Sequence, residues 1–148
     1  MSWFRKAVLL PVGMLLVGCS PDEPASWNPA EMSKRVEEFG HIAEAYAVVD
    51  FCMPRIESNP DAERALISTI GVRRYTQLLT VDTDAELDRF LAYHRSQGGD
   101  SQQHAKLEQA YRDAHQAAQP SLRGLDTCLE TAGDYVNTIL HTRAPATQ

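Results

Sequence analysis

Apolar residues recur along this chain at three- and four-residue steps, the period of one face of an α-helix, in five successive segments. In the first, Met32, Val36, Phe39, Ala43 and Tyr46 step by 4, 3, 4 and 3, and Ile42, Val49 and Met53 widen the stripe. Glu37, Glu38, Glu44 and Asp50 lie on the opposite face. Asn28 is an N-cap, Pro29 suits the first helical position and Glu31 completes a capping box. The pattern predicts a helix over 29–52, stopped by Pro54. Asn59, Pro60 and Asp61 repeat the start signal. Leu66, Ile67, Ile70, Tyr75, Leu78 and Leu79 then predict a second helix running to residue 79, weakened at Gly71.

Asp82 or Thr83 caps a third, short helix with Leu87, Phe90, Leu91 and His94 on one face, ended by Gly98 and Gly99. Asp100 or Ser101 opens a polar helix with Leu107, Tyr111, Ala114 and Ala118 on its apolar side, suited to covering the domain from outside. Pro120 breaks it, and Ser121 is a cap for the last helix, in which Leu122, Leu125, Leu129, Ala132, Val136 and Ile139 form the stripe. No stretch alternates at period two and no internal repeat is evident. The fold expected is all-α, a small bundle of four to five helices over 29–142, followed by a disordered tail over 143–148.

The N-terminus has a different character. Arg5 and Lys6 precede an uncharged run from Ala7 to Val17, too short for the ~20 residues that a membrane-spanning helix needs. Leu16-Val17-Gly18-Cys19 follows, and this order of charge, apolar run, small residues and Cys resembles the lipobox of bacterial lipoproteins. The resemblance implies that residues 1–18 are a signal peptide, that Cys19 is lipidated, and that acyl chains hold the protein at a membrane. Ser20 after the anchor is compatible with the outer membrane, with the domain facing the periplasm. Residues 19–28, with Pro21 and Pro24, read as a polar tether, which leaves Trp3 and Trp27 outside the domain.

With Cys19 assigned to lipid, Cys52 and Cys128 remain, 76 positions apart. An even pair in an oxidising compartment reads as a disulfide. It would tie the end of the first helix to the last one. Charge narrows the partners. Arg5 and Lys6 removed, 12 basic side chains face 20 acidic ones, a net charge of −8. That argues against nucleic acid and against adhesion of the domain itself to anionic headgroups.

Catalytic chemistry is not legible. There is no Gly-x-Ser-x-Gly, phosphate loop or His-Glu-x-x-His. Of the five histidines (His41, His94, His104, His115, His141), only the pairs Glu37 with His41 and His104 with Glu108 have the i, i+4 spacing of helical metal ligands. Such pairs on polar helices read as solvated surface, and no metal or cofactor is expected. Arg64, Arg73 and Arg74 concentrate positive charge on the second helix, either as internal ion pairs or as a docking patch for an acidic partner. Met32 and Met53 read as core residues, with a peptide groove as the other option.

The layout also resembles the PulS/OutS type of type II secretion pilotin. The matching residues are Cys19 at the anchor, Asp50-Phe51-Cys52 ending the first helix, Thr127-Cys128-Leu129 in the last, and Tyr111 in a helix that precedes Pro120. The Gly-Trp pair that this family often carries after its second helix is absent. The resemblance implies a non-enzymatic lipoprotein that captures an amphipathic segment of a secretin subunit and directs it to the outer membrane. A periplasmic immunity or inhibitor lipoprotein, whose acidic surface neutralises a toxin or hydrolase, is the alternative.

Overall fold

The structure, a computed structural model, describes residues 25–142. The expected signal peptide over 1–18, Cys19, the start of the tether and the tail over 143–148 lie outside the described residues. Among the described residues there are six α-helices and no strand: α1 Pro29–Glu57, α2 Pro60–Ile70, α3 Val72–Leu79, α4 Thr83–Ser96, α5 Ser101–Ala118 and α6 Leu125–His141. A 3-10 turn, Gln119–Leu122, joins the last two. None of these helices is long and apolar enough to cross a membrane.

Side-chain caps set most of the starts, because each satisfies backbone N–H groups that have no partner within the helix. Asn28 Oδ1 accepts from Glu31 N at 2.9 Å, and Glu31 Oε2 accepts in return from Asn28 N at 2.9 Å. Asp100 and Gln103 build the same box on α5. Asn59 caps α2 and Asp82 caps α4. α6 differs from expectation: it starts after Gly124 without a side-chain cap. Ser121 instead donates to Ala118 O within the 3-10 turn, which Pro120 favours over continued α-helix.

Helix α1 runs through Pro54 to Glu57, past the expected stop. Pro54 sits on the exposed side, while Met53 and Ile56 are buried on either side of it. Packing of that last turn outweighs the single missing N–H. Arg55 Nη1 extends the turn's anchorage by donating to Leu122 O and Arg123 O. The expected second helix is two helices. Gly71 adopts φ +88°, a left-handed conformation that breaks the rod after Ile70 and turns α3 away. The bundle therefore has six helices rather than four to five.

Helix α1 is the axis of the bundle. It packs against α2, α3, α4, α5 and α6, and its second half is buried on nearly every side, down to Ala45, Ala47 and Val48. Phe39 and Tyr46, each at most 1% exposed, supply its largest buried side chains, and burying such groups contributes about 1.5–3 kcal/mol apiece. The Cys52–Cys128 disulfide ties α1 to α6 across a Cα–Cα distance of 5.2 Å.

Trp27 lies inside the domain, contrary to the tether expectation. It is 6% exposed, and its ring rests on Gly98 and Gly99; a Cβ added at Gly99 would approach ring atoms to 2.7 Å. The backbone of 25–28 is stitched to the α4–α5 corner. Gly99 N donates to Ala25 O, Trp27 N donates to Gln103 Oε1, and Gln103 Nε2 donates to Trp27 O. Ser26 Oγ adds a bond to Asp100 Oδ2 at 3.0 Å.

Candidate functional site

Both α5 and α6 lie on α1, yet their backbones do not come together. Between them runs an open groove of about 340 Å³. Glu44 and Val48 of α1 form its floor, Ala114, Ala117 and Ala118 its α5 wall, and Thr131 and Tyr135 its α6 wall. Ser121 and Leu122 of the 3-10 turn close one end. Val48 beneath is buried, and the solvent-facing lining is Glu44 and Ala117 with the half-buried Ala114, Ala118, Thr131 and Tyr135. Tyr135 donates to Glu44 Oε2 at 3.2 Å, and burial beside that carboxylate raises the Tyr135 hydroxyl above its ordinary pKa. The site thus offers a small trough of mixed character, with alanines on one wall, Thr131 and Tyr135 on the other and the Glu44 carboxylate in its floor. It suits a row of apolar side chains with a basic neighbour.

A second arrangement brings an imidazole onto a carboxylate. His115 Nε2 of α5 lies 2.7 Å from Asp50 Oδ2 of α1, and Thr83 Oγ1 at the start of α4 donates to Asp50 Oδ1 at 2.7 Å. Tyr111 stacks on the His115 ring, with centroids 5.8 Å apart. A hydrolytic site needs a hydroxyl or thiol on the imidazole. Thr83 bonds the carboxylate instead, so the cluster fastens three helices together. Among the described residues no group of three or more His, Cys, Asp or Glu is placed to hold a metal ion.

The residues singled out by sequence fall as follows. Arg64 is exposed on α2 and pairs with Asp61 of its own helix. Arg73 and Arg74 are exposed on α3, so the three arginines do not share one helix. Met53 is buried in the core and Met32 packs partly against it, so neither lines the groove. His104 contacts Gly98 O at 2.8 Å rather than Glu108, which accepts from Arg112. His41 faces Glu44 at 3.9 Å rather than Glu37. Cys19 lies outside the described residues.

Two functional-looking contacts escaped the sequence. Arg35 of α1 reaches His94 of α4, 59 positions away, and Asp50 meets His115, 65 positions away. Periodicity placed His94 on the apolar face of its helix but carries no information about a partner at that range. No protein-family model matches the chain, and no curated protein or solved structure is significantly similar to it.

Proposed function

We propose that this chain is a lipid-anchored, non-enzymatic binding protein of the periplasmic side of the outer membrane, which captures a helical segment of a partner in the manner of a pilotin. The observation that carries this reading is the groove between α5 and α6, floored by Glu44 and Val48. Helix-in-groove recognition needs an apolar trough that accepts side chains at i, i+3 and i+4, and a rigid frame around it. The disulfide and the α1 axis supply the frame. At about 340 Å³ the trough is near the small end of the ~300–1,000 Å³ range of ligand pockets, enough for side chains of a docked segment rather than a whole ligand. Preorganisation of that kind lowers the ordering cost of binding. The lipobox-like Leu16-Val17-Gly18-Cys19 supplies the address.

The experiment is a gene deletion in the source bacterium, complemented by the wild-type chain or by Ala117→Trp. Ala117 is exposed on the groove wall, so the indole fills the trough without disturbing the core. The secretin multimer should leave the outer membrane in the deletion strain. The wild-type chain should restore it and the groove-blocked variant should not. A secretin that stays in the outer membrane without the protein sinks the proposal, as does a mature chain whose mass contains no fatty acid.

A further inference from the structure

The groove leaves one surface unexplained. Val72 and Leu79 are 65% and 41% exposed, and they are the large apolar side chains left open to solvent among the described residues. Both lie on α3, seven positions apart, which puts them within about 20° of each other around the helix. Thr76 lies beside them and Arg73 borders the same exposed side, with Arg74 on the other shoulder of the helix. Neither Arg73 nor Arg74 makes an ion pair among the described residues, unlike Arg64, Arg89 and Arg112, which pair within their own helices. Helix α3 is pinned from beneath by Tyr75 and Leu78, both buried. Gly71 at φ +88°, with open space where a Cβ would sit, gives α3 a direction of its own.

We propose that this exposed side of α3 is a second docking surface, for an acidic helical segment of another protein that presents two apolar side chains. The surface shares no residue with the α5–α6 groove, so the proposal stands apart from the pilotin reading. Charge selects the occupant. In a chain of net charge −6, the exposed Arg73, free of ion pairs beside an apolar stripe, complements a carboxylate flanking an apolar stripe, and Arg74 adds positive charge on the other shoulder of the helix. A bilayer fits poorly. The chain enters the bundle at Trp27, next to the start of α1, whereas Tyr75 of α3 is within electrostatic range of Glu57 at the far end of that helix. At 1.5 Å per residue the two ends of α1 are about 40 Å apart.

The test is site-specific photo-crosslinking from Thr76 of the full chain in the source cells, with Glu37 on α1 as the control position. Sequencing of the attached peptide identifies the occupant. The expected product is a segment of a different protein with net negative charge and paired apolar residues. Its yield should fall at least fivefold in R73E/R74E and in V72S/L79S, with circular dichroism of both variants unchanged. Yield should be unaffected by Ala117→Trp. Attachment to lipid, to a second copy of this chain or to a segment without excess acid overturns the proposal. So does a yield no higher than at Glu37, or one that R73E/R74E leaves intact.

Discussion

Arg35 on α1 donates a hydrogen bond to Nδ1 of His94 on α4 across 2.6 Å. A guanidinium has only donors, so Nδ1 is the acceptor and the imidazole proton sits on Nε2. Nε2 is buried without a hydrogen-bond partner. The same guanidinium lies 4.2 Å above the Trp27 ring, which joins the entry segment to the α1–α4 contact. Burial first, then the charges of Arg35 and His104, lower the His94 pKa from the usual 6.5 to about 4.

That shift makes stability depend on pH with a definite sign. The unfolded chain takes up the His94 proton near pH 6.5, whereas the folded chain resists until about pH 4. His94 therefore contributes its full share above pH 6.5, and the contribution falls as pH drops through the interval between those values. At 1.36 kcal/mol per pKa step, the loss approaches about 3 kcal/mol at the low end. Urea unfolding of wild type and His94→Gln at several values between pH 4 and 7.5 measures it. The wild-type curve should be the steeper one, and parallel curves would exclude His94 as the source.

The entry segment should behave as core rather than tether. Gly99 has φ +82°, and a Cβ there would meet the Trp27 ring at 2.7 Å, so Gly99→Ala strains the backbone and displaces the indole together. We expect a loss of about 1–3 kcal/mol from the backbone alone, and about 3–5 kcal/mol for Trp27→Ala. Trp27 is the single tryptophan after residue 18, so fluorescence of a chain lacking residues 1–18 reports this corner directly in Gly99→Ala and in wild type. Calorimetry reads Trp27→Ala. A Tm unchanged by either substitution would mean that residues 25–28 do not hold the bundle.

How much of this was legible differs element by element. The α1 stripe of Phe39, Ile42, Ala43, Tyr46, Val49 and Met53 is buried as its spacing required, and the caps at Asn28, Asn59, Asp82 and Asp100 start their helices. Those signals are local, so the sequence carries them openly. Trp27 belongs to no periodic stripe, and its burial depends on Gly98, Gly99 and Gln103, some seventy residues downstream. The split at Gly71 was visible only as weakness, because propensity registers glycine's cost but not the positive φ that the chain adopts. Burial of Ala45, Ala47 and Val48 shows α1 to be surrounded, which a one-sided stripe cannot announce. The α5–α6 groove arises from the divergence of two helices, and no residue pattern encodes that divergence.

The Asp50 node should be structural rather than catalytic. Asp50 holds His115 of α5 and Thr83 of α4 at 2.7 Å each, at a partly exposed position. A double-mutant cycle of Asp50→Ala with His115→Ala should give a coupling of about 0.5–1.5 kcal/mol in unfolding free energy. Complementation by Asp50→Asn should still deliver the secretin in the deletion assay above. A variant that folds normally but fails to deliver would move the functional centre from the groove to this cluster.

The Cys52–Cys128 bond should dominate the resistance of the bundle to unfolding. It closes a loop of 76 intervening steps between α1 and α6. In the chain-entropy account, a link of that span removes freedom from the unfolded chain worth about 4.5 kcal/mol, against a total of about 5–15 kcal/mol for a small domain. Ala132, Val136 and Ile139 of α6 are also buried, so the reduced chain should fold into the same bundle with a much smaller margin. Both cysteines are fully buried, so dithiothreitol should cut the bond at a rate set by opening of the bundle rather than by thiol concentration. Urea titration of the Cys52→Ser/Cys128→Ser chain should show a midpoint lowered by several kcal/mol divided by m, with m itself little increased. A loss under about 1 kcal/mol would show that the helices alone already restrict the unfolded chain, and reduction as fast as that of an exposed model disulfide would show that the α1–α6 seam opens freely.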